Sequence, residues 1–318
     1  MTSVFSIAFS PAGSIPDAVA TVTLEPNQGP MVVLDLTLIQ RIEATLHSLP
    51  KGLRGLVLAS GSPRVFVAGA DLKSIQAPGP GSAGLDDHGL DAYLAYGQRV
   101  FGMLSQLPFP TAAAINGAAL GGGLELAMHC DGLIGAPDSG VAAGNKPFPI
   151  GLPEAGLSIC PGWGGTNLLP ARIDPADAIA RTASGQTMMV GDAIKAGLFD
   201  QVAPEAASLL ETARQWVVAQ GGTSGSVLIP GGRRDGAPGR WIGRTAFKTR
   251  VQAAFATIRD TLPKTESARA VAAAVHAGLE SPQGWQAALD VERRELVRLR
   301  STPEGRAAIQ GFFDKSRK

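Results

Sequence analysis

Three consecutive glycines, Gly121–Gly123, close the apolar run that begins at Thr111–Ile115 and open a helix-like stretch ending at Asp131. Glycine there lets the chain turn tightly and lets another molecule approach the bare main chain. The first N–H groups of a helix have no intrahelical acceptor, and the helix dipole makes that end partly positive. Gly122 N–H can therefore hold a developing oxyanion, and Glu125, one turn in, can act as acid or base beside it. The same residues also allow a plainer reading, in which the glycines only form a turn and Glu125 only complements the dipole.

The flanking sequence reads as α/β. Ala18–Leu24 alternates Val and Thr as a strand does, and Leu34–Leu49 places Ile39, Ile42, Leu46 and Leu49 at helical spacing. Gly55–Ser60 is a short apolar run with the profile of a buried parallel strand. Strand, helix and strand in that order suggest a right-handed crossover. A loop is expected over Gln76–Leu90 and a helix over Asp91–Leu107. Strands are expected at Thr111–Ile115 and Gly132–Ala136, a loop at Pro137–Pro149, and helices at Asp174–Ala183, Gly191–Gly197 and 204–219. Gly221–Arg240, rich in Gly, Pro and Arg, reads as a linker or exposed loop. Four more helices are expected near 244–260, 266–278, 283–300 and 303–313. This divides the chain into a core over 1–203 and a helical C-terminal region over 204–318.

Composition excludes several functions. A formal charge of +1 across 318 residues argues against nucleic-acid binding, which needs clustered Lys and Arg. Two cysteines, Cys130 and Cys160, lie in apolar segments and fit buried thiols in a reducing compartment. Four scattered histidines give no metal-ligand spacing. No run approaches the roughly 18 apolar residues of a membrane span, so a cytoplasmic location is the expectation. Gly79–Gly84 formally matches a dinucleotide fingerprint, but no strand leads into it and Pro80 stiffens the turn. No nicotinamide cofactor is expected.

A set of motifs in one consistent order resembles the enoyl-CoA hydratase/isomerase (crotonase) superfamily. It runs through Pro30–Leu34, Phe66–Lys73, Asn116-Gly117, the glycine triplet with Glu125, and Cys130-Asp131. It continues through Pro153-Glu154, Pro161-Gly162, Gly164–Thr166 and Ala196–Leu198. Asp290–Glu292 and Gly311–Lys315 are similar to the end of the hydratase part of multifunctional fatty-acid oxidation proteins.

The resemblance implies a core of repeated ββα units arranged as a spiral, followed by helices. It implies an oxyanion hole made by the N–H groups of Ala70 and Gly122, and a substrate site that includes Phe66, Ala68, Asp71, Lys73 and Gly121. Lys73 would face a coenzyme phosphate. Glu125 would activate water and Glu154 would give a proton to the alpha carbon, which makes a 2-enoyl-CoA hydratase the leading expectation. An isomerase needs only Glu154, and a non-catalytic acyl-CoA-binding or assembly subunit is the reading from another class. No metal is implied, and coenzyme A enters as part of the acyl-CoA substrate, with no separate cofactor. The expected partners are further copies of the chain, as a trimer or hexamer, and a docked dehydrogenase or thiolase, with no membrane. Three features depart from the family pattern: added sequence around Pro137–Pro149, Trp163 where a small residue is usual, and the Gly221–Arg240 segment.

Overall fold

Residues 2–11, 17–79, 82–220 and 236–316 are described by the structure, a computed structural model. Most of the linker expected at 221–240 lies outside them, as do residues 80 and 81 of the expected loop. Ten strands occur among the described residues: β1 (Ile7–Ser10), β2 (Val19–Leu24), β3 (Gly55–Ser60), β4 (Val65–Val67) and β5 (Thr111–Ile115), then β6 (Ala118–Leu120), β7 (Gly132–Gly135), β8 (Pro149–Gly151), β9 (Met188–Met189) and β10 (Gln201–Val202). They form a six-stranded sheet of order β1-β2-β3-β5-β7-β10 and a four-stranded sheet of order β4-β6-β8-β9.

β3 lies parallel to both β2 and β5, as its continuous apolar run predicts for a strand covered on both faces. β7 continues the parallel order, and only β1, at the edge, runs antiparallel to its neighbour. One face of this sheet, carrying Val19, Val57, Ala59, Ala112, Ala114 and Ile134, is covered by Leu209, Ala213 and Val217 of the helix Leu209–Gln220. That approach is close enough to require glycine in β3. A Cβ on Gly55 would fall 1.9 Å from Val217 Cγ1. The start of β5 is pinned to β7 by Asp131, whose Oδ2 accepts from Thr111 N at 2.8 Å and Thr111 Oγ1 at 3.0 Å.

The described chain gathers into two compact units. The first comprises Met1–Gly69, Val100–Ile150 and Met188–Gly239, and it holds both sheets but for Gly151, the last residue of β8. The second comprises Ala70–Arg99, Gly151–Thr187 and Arg240–Lys318 and is mainly helical. Its C-terminal helices are Thr245–Ile258, Glu266–Glu280, Trp285–Arg300 and Pro303–Ser316, close to the spans that periodicity predicts.

Two side chains organise the second unit. Trp163, 1% exposed, donates from Nε1 to Leu94 O at 3.0 Å and meets the Tyr93 ring edge-on. Arg300 is wholly buried; its guanidinium donates to the carbonyls of Ile75, Gln76 and Leu85 and to Asp87 Oδ1. The helix Asp87–Gln106 begins four residues before the expected start. Asp86 explains this, because its Oδ1 accepts from Gly89 N at 2.7 Å and caps the first turn. The glycine-rich match at Gly79–Gly84 follows the helix Leu72–Ile75, not a strand.

Candidate active site

In the first unit, glycines bring the ends of two parallel strands together. β4 pairs with β6, and beyond β4 Gly69 takes φ +117°, where a Cβ would lie 3.0 Å from Leu120 O. Beyond β6, Gly121 takes φ +51° and starts the helix Gly122–Met128. A Cβ on Gly123 would stand 2.3 Å from Val67 O, so only glycine lets this helix begin against β4. The Val32–Leu34 backbone braces the other edge of the segment. Ala68 N donates to Val32 O at 2.8 Å, and Leu34 N donates to Gly69 O at 2.9 Å.

The result is a short helix whose first N–H groups, Gly122 among them, have no acceptor within the helix. Glu125 follows in its first turn and is 1% exposed, with its own N–H donating to Gly121 O at 3.0 Å. Phe66 and Gly121 are buried, and Ala68 is half-buried.

The second unit carries the remaining sequence-predicted residues. Ala70, half-buried, follows Gly69 directly. Asp71 caps the helix Leu72–Ile75: Oδ1 accepts from Lys73 N at 3.3 Å, and Oδ2 from Ser74 Oγ at 2.7 Å. Lys73 is exposed. Glu154 opens a single 3₁₀ turn, Glu154–Leu157, after Pro153. Its Oε2 is buried and has no hydrogen-bond partner among the described residues. Burial pushes the Glu154 carboxyl up to about 8; hydrogen bonding at its backbone opposes this, and the nearby Glu292 charge adds to it.

Glu292 is the site residue that sequence reasoning did not single out. It is fully buried on the helix Trp285–Arg300. Oε2 accepts from Gly164 N at 2.6 Å, and Oε1 accepts from Thr166 N at 2.9 Å and from the Thr166 hydroxyl. Burial raises this carboxyl as well, while the hydrogen bonds from Thr166 and Gly164 act to lower it. Three donors on an acceptor-only group favour the ionised form, so of the two acids Glu154 is the one that keeps its proton. The sequence held a signal for Glu292. It lies three residues after Leu289 and four before Leu296, an acid within the apolar stripe of an amphipathic helix.

Phe66, Ala68, Gly121, Gly122 and Glu125 thus share the first unit, and Ala70, Asp71, Lys73 and Glu154 share the second. The first unit offers main-chain donors at a helix start with a buried acid in its first turn, and the second offers an acid whose carboxyl burial pushes up to about 8. Among the described residues no cluster of three or more His, Cys, Asp or Glu could hold a metal, and no helix is long and apolar enough to cross a membrane.

The sequence model described as Enoyl-CoA hydratase/isomerase matches residues 14–220. The chain belongs to the enoyl-CoA hydratase/isomerase family. Among curated relatives of this family, the fatty acid oxidation complex subunit alpha of Vibrio cholerae is 31% identical over 86% of this chain. The match covers 36% of that protein, so the chain spans little more than a third of its length.

Solved structures of the family share the fold. Human mitochondrial delta3-delta2-enoyl-CoA isomerase superposes with a TM-score of 0.65 at 19% identity, over 98% of each chain. An enoyl-CoA hydratase from Bacillus halodurans superposes with a TM-score of 0.63 at 15% identity, over 97% of this chain and all of that one. The fold is therefore the crotonase fold, mixed α/β with a helical C-terminal region, as the ordered motifs implied.

Proposed function

We propose that this chain is an enoyl-CoA hydratase that adds water to a 2-enoyl-CoA thioester and forms a 3-hydroxyacyl-CoA. On this reading the thioester oxygen accepts from the N–H groups of Ala70 and Gly122, with Phe66, Ala68, Asp71, Lys73 and Gly121 around the substrate. Glu125 takes a proton from water as the water oxygen bonds to C3. The electron pair of the double bond moves toward the thioester, and the resulting enolate oxygen is held by the two N–H groups. Glu154 gives its proton to C2 as the enolate collapses. Donors of this kind matter because they are fixed before charge develops, and removal of one costs about 100- to 1,000-fold.

The observation that carries the reading is the buried, unpartnered Oε2 of Glu154. A carboxyl raised to about 8 still holds its proton at neutral pH, as an acid serving carbon must. The buried Glu125 supplies the second carboxylate that hydration requires. The V. cholerae relative's name supports a setting in fatty-acid oxidation. Self-association as a trimer or hexamer, a docked dehydrogenase or thiolase, a cytoplasmic location and the lack of any separate cofactor belong to the same reading.

A 3-enoyl-CoA isomerase is the second reading. Glu154 would enter it in the opposite protonation state: once ionised, one carboxylate with a buried, unpartnered oxygen can take a proton from C2 and return it to C4. Incubation of a 2-enoyl-CoA in ¹⁸O-water separates the two. Hydration predicts a product carrying one ¹⁸O at C3. A chain that leaves the 2-enoyl-CoA unlabelled but converts a 3-enoyl-CoA to it would be an isomerase.

A further inference from the structure

The helix Trp285–Arg300 reaches the segment that follows Glu154 at three points. Cys160 Sγ donates to the Glu292 carbonyl at 3.5 Å, Gly164 N donates to Oε2, and Thr166 donates to Oε1 through its N–H and its hydroxyl. Within that segment Ile159 N donates to Glu154 O at 3.2 Å, which closes the turn that carries the acid. One glutamate therefore holds both ends of residues 160–166 while its carboxylate lies near enough to Glu154 for the two charges to repel. If Glu292 only capped the helix Gly165–Leu168, an uncharged acceptor would serve, and a fully buried charge would be a costly choice.

We infer that Glu292 is a positioning residue for the reaction: it fixes the segment after Glu154 and sets a negative charge beside that acid. This rests on the reading above in which Glu154 serves the alpha carbon. Glu292 does not touch the substrate in this account; it acts through Glu154.

Two further helices pack on the Glu154 turn. On Pro175–Ser184, Asp177 and Arg181 pair with each other at 2.8 Å. On Pro303–Ser316, Glu304, Arg306, Asp314 and Lys315 are exposed. Glu292 is the one charge among these groups that raises the Glu154 carboxyl.

The test compares Glu292→Gln with the parent chain and with Glu154→Gln, each shown to be folded by circular dichroism. Glu292→Gln removes the charge but keeps the length of the side chain. Activity that needs a protonated Glu154 fails as pH rises through its pKa, and loss of the repelling charge lowers that pKa. The alkaline limb of kcat should therefore move down, by on the order of one pH unit, with KM little changed. A purely structural role would lower thermal stability and leave the limb in place.

A folded Glu292→Gln with the parent's alkaline limb overturns the inference. Full activity in Glu154→Gln overturns instead the reading on which it rests. If Glu292→Gln does not fold, the parent chain still answers through ¹³C NMR titration of labelled glutamate carboxyls. The Glu292 signal should stay that of an ionised carboxylate through the alkaline range in which Glu154 titrates. A Glu292 carboxyl that loses its proton in that range, with Glu154 already ionised, contradicts the inference.

Discussion

The indole of Trp163 occupies the space that a side chain at Gly97 would need: a Cβ there would stand 2.3 Å from Nε1. Trp163 is held by its bond to Leu94 O and by the edge of Tyr93, so it cannot move aside cheaply. The large Trp163 thus has a matching glycine on the helix Asp87–Gln106. Gly97→Ala should destabilise the protein by about 1–3 kcal/mol through overpacking. Chemical denaturation checks this, and an unchanged midpoint would show that the indole has room to shift.

Arg300 joins the end of the helix Trp285–Arg300 to the start of the helix Asp87–Gln106 and to the chain before it. Its partner Asp87 is largely exposed, so loss of the arginine returns that charge to water, but the Ile75, Gln76 and Leu85 carbonyls each lose a donor. Arg300→Met should cost about 1–3 kcal/mol and expose the chain near Leu85 to protease. Cleavage mapped by mass spectrometry is the readout. A cleavage pattern identical to the parent's would show that other contacts hold this stretch.

Glu154 and Glu292, whose carboxyls burial raises, make stability depend on pH in a definite direction. Glu154 titrates near 4.5 when unfolded and near 8 when folded, so the folded state binds more protons between those values. Its contribution is full below about 4.5 and is lost as pH rises toward 8. Burial acts in the same direction on Glu292. Melting temperature should therefore fall across that range in the parent chain, and less steeply in Glu154→Gln. Equal slopes in the two proteins would contradict a raised carboxyl at Glu154.

Local features were legible in the sequence and distant ones were not. The glycine turn, the parallel strand Gly55–Ser60 and the four C-terminal helices follow from periodicity and turn residues. Observed helix ends such as Leu36–Ser48 and Thr245–Ile258 lie within a few residues of the expected ones. The four-stranded sheet was not separable, because its strands span two or three residues and show no alternation. Strand β1 was likewise not foreseen. Glu292 was legible as an acid within the apolar stripe of a helix and as part of a resemblance, but its role was not. Its partner Gly164 lies 128 residues away, and no local pattern reports a contact at that range. Asp86 was a missed local signal: a capping residue before a helix that periodicity alone started too late.

The oxyanion assignment has its own test at Ala70. Proline there removes the N–H with little change in side-chain bulk, and turnover of a 2-enoyl-CoA should fall at least about 100-fold. Circular dichroism must match the parent, because proline also restrains the backbone next to Gly69. Near-normal turnover in a folded Ala70→Pro chain would assign the donor elsewhere.

The central claim is that two glutamates divide the work of hydration, Glu125 on water and Glu154 on the alpha carbon. Glutamine keeps the shape of either side chain but cannot exchange a proton. The most direct measurement is turnover of a 2-enoyl-CoA and a 3-enoyl-CoA by folded Glu125→Gln and Glu154→Gln. Glu125→Gln should lose hydration by about 100- to 10,000-fold while any isomerisation survives better, and Glu154→Gln should lose both. Full hydratase activity in Glu125→Gln would contradict this division and favour isomerisation as the activity of the chain.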